Sequence, residues 1–170
     1  MVLIGIGSNR GDSIPIVCDA IERLRRFAAG DVHASSLWRT SPVDCPPGSD
    51  DFVNAVVAFE PRDGLTPDAL LGELKAIERR YGRQTPWVRN APRELDLDLL
   101  VFGNERRDSP TFVLPHPRAT VRRFVLAPAA EVAPSLRWPG TDTTITQLLA
   151  RLDDSERAEQ IASLGERVAR

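Results

Sequence analysis

Apolar residues Leu95, Leu97, Leu99 and Val101 alternate with Asp96, Asp98, Leu100 and Phe102, a period of two that predicts a β-strand. Side chains two apart on a strand share a face, so Asp96 and Asp98 are expected to point the same way, roughly 6–7 Å apart, with Leu100 and Phe102 beside them. Earlier in the chain, residues 2–7 read as a short apolar strand, followed by the turn Ser8-Asn9-Arg10-Gly11. Asp12 or Ser13 can cap a helix whose apolar stripe is Ile14, Val17, Cys18, Ile21, Leu24 and Phe27, with Gly30 suited to its stop. Residues 32–39 and 52–59 read as further strands, separated by a loop at 41–51 that collects Pro42, Pro46, Pro47 and Gly48. Thr66-Pro67 is a cap followed by proline at the first helical position, opening a helix with Leu70, Leu71, Leu74 and Ile77 that stops at Gly82.

The order β-α-β-β-α-β predicts an α+β, ferredoxin-like sandwich: a mostly antiparallel four-stranded sheet with helices on one face. After Gly103-Asn104 the chain adds Leu114-Pro115-His116-Pro117, a predicted helix over 122–132, and an amphipathic tail whose Ile161, Leu164 and Val168 form a packing face. No repeat or internal boundary interrupts this order, so residues 1–170 are expected to form one domain.

The strand at 95–102 carries the first candidate chemistry. Two carboxylates on an otherwise apolar face need cations, because burying unpaired charge is expensive. Mg²⁺ held jointly by carboxylates and substrate phosphates answers that need, and so does an ordinary salt-bridged strand edge. Arginine tips the balance. Positions 79, 80, 83, 89 and 93 are arginine with no carboxylate among residues 79–93, and Arg106, Arg107, Arg118, Arg122 and Arg123 follow. Of 22 basic residues, Lys75 is the only lysine. The guanidinium fork grips phosphate oxygens in two places, as lysine cannot. Arg89 and Arg93, near the aspartates in a loop with Pro86 and Pro92, are the arginines read as functional. Asn54 shares a predicted face with Phe52, Val56 and Ala58, and its amide suits either the edge of a planar heterocycle or a neighbouring loop. Gly5 and Gly7 fit close approach of a ligand and close sheet packing equally well.

Composition excludes more than it identifies. With 42% hydrophobic and 27% charged residues, the chain reads as an ordinary globular protein. A net charge of −2 argues against a general nucleic-acid binder. No export or lipidation signal and no long apolar run is evident, which predicts a cytoplasmic protein without membrane contact. Cys18 and Cys45 lack metal or redox spacing and fit a reduced compartment.

These parts in this order resemble the 6-hydroxymethyl-7,8-dihydropterin pyrophosphokinase family, from Gly5-Ile6-Gly7-Ser8-Asn9 to about Leu152. The most specific segment is Arg89-Asn90-Ala91-Pro92-Arg93-Glu94-Leu95-Asp96-Leu97-Asp98. Arg39-Thr40-Ser41-Pro42, Asp51-Phe52-Val53-Asn54-Ala55, Ile77-Glu78-Arg79-Arg80-Tyr81-Gly82-Arg83 and Pro115-His116-Pro117-Arg118 support it, with Arg122 and Phe124. The resemblance implies transfer of the β,γ-pyrophosphate of ATP to the hydroxymethyl group of the reduced pterin, in folate biosynthesis, with release of AMP. It implies two Mg²⁺ ions on Asp96 and Asp98, with Arg83 and Arg93 beside them as catalytic residues. Glu78, Arg83, Arg89, Arg93, His116 and Arg122 would serve the nucleotide. Thr40, Pro42, Val43, Phe52, Asn54 and Phe124 would hold the pterin. A monomer acting on small molecules is expected.

The chain departs from some members at three places: Asn90-Ala91 replaces a Trp-Gly pair, Thr85 a basic residue, and Phe52 a tyrosine. Read without the resemblance, His116 between two prolines is a turn residue. The competing readings are a non-catalytic ferredoxin-like binding module and another two-metal phosphoryl or nucleotidyl transferase. The first would not need Asp96 and Asp98 together; the second would not need Asn54 and Phe124.

Overall fold

The computed structural model describes residues 1–43, 45, 47–82, 93–153 and 157–163. Its elements are β1 Val2–Ser8, α1 Ser13–Leu24, β2 His33–Ala34, β3 Leu37–Thr40, β4 Phe52–Phe59, α2 Pro67–Arg80 and β5 Asp96–Phe102, followed by β6 Arg107–Ser109, β7 Phe112–Leu114, α3 Arg123–Val132, α4 Ile145–Leu149 and β8 Ala158–Ala162. β4 coincides with the predicted 52–59 strand. α2 begins as its sequence requires: the Thr66 side chain accepts the Ala69 N–H, Pro67 follows, and Gly82 closes the run at φ +84°. Of the predicted α1 stripe, Val17, Ile21 and Leu24 are buried and Phe27 follows in a short 3₁₀ turn, whereas Ile14 stands 37% exposed.

Five strands lie in the order β5-β1-β4-β3-β8, all neighbours antiparallel, and β2 adds to β4. The first four give the ferredoxin-like βαββαβ sheet; the fifth, β8, is the chain's tail. The tail's Ile161 packs on the core from a strand, while Leu164 and Val168 lie outside the described residues.

Helices cover both faces, not one. α1 and α2 pack on the first face, where Val2, Ile4, Ile6, Val53, Val57, Phe59, Leu97 and Leu99 meet Val17, Leu24, Leu70, Leu74 and Ile77. On the second face Leu3, Val56, Ala58, Leu100 and Val101 meet Val125, Leu126 and Ala129 of α3 and Ile145 of α4. Apolar side chains on both sides of the central strands leave no face that water can cover cheaply, so the C-terminal helices are part of the core.

Two irregularities break the predicted strands. The 32–39 strand divides into β2 and β3 at Ser35 and Ser36, where the Ser35 hydroxyl accepts the Val56 N–H at 2.9 Å in place of a ladder partner. β5 carries a bulge: Leu3 faces Val101 and Ile4 faces Leu99, leaving Leu100 as an extra residue. Leu100 and Val101 both turn to the second face and Phe102 enters the first core. The expectation that Phe102 shares a face with Asp96 and Asp98 is therefore corrected, because the inserted residue reverses the alternation.

Candidate active site

The second face is only partly covered. α3 and α4 pack over the Leu3 end of β1, and at the other end a cleft opens. Strand register builds its floor. Gly7 faces Asn54 of β4 on one side and Asp96 of β5 on the other; Gly5 stands likewise between Val56 and Asp98. All six line the cleft. The two glycines leave the middle of the floor without side chains, between an amide wall and a carboxylate wall.

On the amide wall, Asn54 is 5% exposed and its Nδ2 donates to the Thr40 hydroxyl at 2.7 Å. That bond fixes which way the amide faces. A Cβ placed on Gly7 would lie 3.0 Å from Asn54 Oδ1, so the amide oxygen rests almost against the glycine. Phe52 and Phe124 bring two half-buried rings to the cleft, with Thr40 at the end of β3 and Ser41, Val43 and Cys45 from the loop after it. The Arg122 guanidinium carbon sits 5.3 Å from the centre of the Phe124 ring, a cation–π contact at the start of α3.

On the opposite wall, Arg93 Nη1 meets Asp96 Oδ1 at 2.7 Å. The Asp98 carboxyl is raised to about 6 by burial first and by the Asp96 charge second, with Lys75, Arg122 and Arg93 pulling it back. Two carboxylates on one wall of a cleft, one of them disfavoured as an anion by burial, make a place that a cation would stabilise. The donors are oxygen only, matching hard Mg²⁺, and two carboxylates suffice when substrate oxygens and water complete the shell. Among the described residues no group of three or more His, Cys, Asp or Glu gathers.

Other predicted residues sit farther back. Glu78 has 0% exposure; its Oε1 accepts the Leu97 N–H at 2.8 Å and a Lys75 Nζ bond at 3.0 Å, and Lys75 also reaches the Leu97 carbonyl at 3.5 Å. The structure thus places Glu78 behind β5, gripping the backbone between the two aspartates, and does not bring it to the cleft. His116 is half-buried, its N–H bonded to the Leu100 carbonyl at 2.9 Å and its Nδ1 accepting the Arg118 N–H at 3.3 Å. Burial and the charges of Arg122 and Arg118 lower its pKa to about 4, so it is neutral with the proton on Nε2. Pro42 is half-buried between the cleft residues Ser41 and Val43. Arg83 and Arg89, as well as Thr85, Asn90 and Ala91, lie outside the described residues.

Sequence reasoning does not mark Cys45, Val56, Leu100 or Val125 as lining. For Val56 and Leu100 the signal was present, since each is two residues from Asn54 or Asp98 on the same face. Cys45 sits in a loop, where no periodicity points.

Residues 3–134 match the family model described as 7,8-dihydro-6-hydroxymethylpterin-pyrophosphokinase (HPPK). The chain is 36% identical over 153 residues to the 2-amino-4-hydroxy-6-hydroxymethyldihydropteridine pyrophosphokinase of Synechocystis sp., covering 89% of this chain and 75% of that one. It is 39% identical over 141 residues to the Pseudomonas aeruginosa protein of the same name, covering 81% and 83%. The chain spans a fifth of the folic acid synthesis protein fol1 of Pneumocystis carinii, at 32% identity over 91% of its own length. Among solved structures, wild-type Plasmodium falciparum HPPK-DHPS with pteroate superposes at a TM-score of 0.67 and 13% identity, covering 88% of this chain and 42% of that one, a likeness of fold. The chain belongs to the 7,8-dihydro-6-hydroxymethylpterin-pyrophosphokinase family, the diphosphokinases of folate biosynthesis.

Proposed function

We propose that the cleft transfers the β,γ-pyrophosphate of ATP to the hydroxymethyl oxygen of 6-hydroxymethyl-7,8-dihydropterin, with release of AMP. The observation that carries this reading is the row Asn54–Gly7–Asp96 across three strands. Two inter-strand spacings separate its ends by ~10 Å, room for a bicyclic ring reaching from the amide toward the carboxylates. Asn54 reads the pyrimidine edge, its amide held by Thr40. Phe52 and Phe124 enclose the ring faces, and Thr40, Pro42 and Val43 supply the adjoining wall.

Arg93 and Arg122 grip the phosphates from the other side, joined in this reading by Arg83 and Arg89. Neutral His116 offers Nε2–H to the nucleotide. Glu78 serves the nucleotide side indirectly, by fixing the strand that carries both aspartates. Asp96 and Asp98 would hold two Mg²⁺ ions, which when bound neutralise phosphate charge and favour loss of the hydroxyl proton. The hydroxymethyl oxygen bonds to the β-phosphorus, the bond from that phosphorus to the α-bridging oxygen breaks, and AMP leaves with the electron pair. Positioning and charge neutralisation supply the rate.

Both cores share one sheet, which supports reading residues 1–170 as one domain. No helix among the described residues is long and apolar enough to cross a membrane. The reading places the chain in the cytoplasm as a monomer acting on these two small molecules.

The test is nucleotide release from MgATP with and without the pterin. AMP formed only with pterin supports the reading. ADP would make the chain a simple kinase, and no turnover by folded protein would favour a binding module.

A further inference from the structure

Asn9 belongs to a turn by sequence, yet it is only 4% exposed. Its Oδ1 accepts the Arg93 N–H at 2.9 Å, and its own N–H donates to the Arg93 carbonyl at 3.1 Å. Both main-chain groups of Arg93 are thus held by one residue across 84 positions of sequence. The Arg93 guanidinium in turn meets Asp96 at 2.7 Å on the cleft wall. Asn9 is itself anchored, following Ser8, whose buried hydroxyl bonds the Ser13 hydroxyl at 2.9 Å. The neighbouring Arg10–Glu94 pair, at 3.6 Å with side chains 66% and 33% exposed, is too loose and too wet to do the same work.

We propose that Asn9 is a positioning residue for pyrophosphoryl transfer: by clamping the Arg93 backbone it fixes where that guanidinium stands relative to Asp96 and the phosphates. The claim rests on the reading of Arg93 as a phosphate-binding residue. Asn9 does not line the cleft, whereas Arg93 does, so Asn9 acts through Arg93. A side chain that only shaped the turn after β1 would change stability and leave the chemistry of Arg93 alone.

A double-mutant cycle on the full chain separates these roles. Asn9→Leu keeps the size and removes the acceptor. It is expected to lower kcat by about 100-fold, the cost of a small misplacement of a reacting group, while KM for the pterin stays unchanged. Asn9→Asp restores an acceptor for the Arg93 N–H and recovers most of kcat. In an Arg93→Ala background, Asn9→Leu adds no further loss.

Three results overturn the proposal: unchanged kcat in Asn9→Leu, no recovery in Asn9→Asp, or multiplicative losses in the double mutant. Should Asn9→Leu not fold, Asn9→Ser carries the same cycle, its shorter hydroxyl falling short of the Arg93 N–H. Arg93→Ala with full kcat would refute the Arg93 assignment itself. Any loss in Asn9→Leu alone would then be independent of Arg93, which also overturns the clamp.

Discussion

Glu78 Oε1 accepts the Leu97 N–H at 2.8 Å, so a fully buried carboxylate of α2 holds the one backbone amide between Asp96 and Asp98. β5 stands at the edge of the sheet, where that amide has no strand to pair with. Glu78→Ala leaves a buried N–H without its acceptor and should lower folding stability by about 1–3 kcal/mol. Glu78→Gln, whose amide oxygen still accepts, should lose less. Urea unfolding of both variants is the check, and equal losses would show that the Leu97 bond is not what the carboxylate provides.

The mutation Asp98→Asn should separate stability from activity. It removes a carboxylate that burial and Asp96 make unfavourable, while keeping its size. Turnover should fall by at least ~100-fold, because the cation that neutralises the phosphates loses a ligand. In magnesium-free buffer at pH 7 the variant should unfold at a higher temperature than the parent. A lower unfolding temperature with turnover intact would remove Asp98 from the metal site.

The pH dependence of stability should carry the mark of His116. Its folded pKa of about 4 lies below the ordinary 6.5, so between these values the unfolded chain binds more protons. The contribution of a neutral His116 is complete above pH 6.5 and is lost as pH falls through about 4. His116→Gln cannot titrate. The stability difference between parent and variant should therefore shrink from pH 7 to pH 4, and a constant difference would refute the lowered pKa.

The glycine floor makes a selective prediction. A methyl group on Gly7 would crowd Asn54 Oδ1 at 3.0 Å, whereas one on Gly5 meets the Leu100 methyls at an ordinary 3.6 Å. Gly7→Ala should raise KM for the pterin about 10-fold, equivalent to ~1.4 kcal/mol, with folding preserved. Gly5→Ala should affect pterin binding less. Steady-state kinetics on the pair settles the order, and equal effects would mean that Asn54 is not the group that reads the ring.

Much of this architecture could be read from local pattern. Phe52–Phe59 is an apolar run interrupted only by Asn54, and Thr66-Pro67 opens α2 with bonds internal to one turn. Asp96 and Asp98 stood out because charge on an apolar face is rare. Long-range geometry is where pattern fell short. The register shift beside Leu100 depends on β1, the break at Ser35 on the Val56 amide, and the tail strand on the open edge of β3. Asn9 looks like any turn residue until Arg93 arrives from 84 positions away. The second-face helices follow from a surplus of apolar positions that a one-sided sandwich could not hide.

The bulge at Leu100 has a consequence for how this strand can change. It divides β5 into two lengths with opposite facing: Asp96 and Asp98 turn toward the cleft, while Phe102 sinks among the helices of the other side. The freed Leu100 carbonyl meanwhile takes the His116 N–H, tying the segment after β7 to the dividing point. Substitutions at the buried end can therefore alter packing without rotating the carboxylates, and the two ends of one seven-residue strand can vary as though they were separate parts.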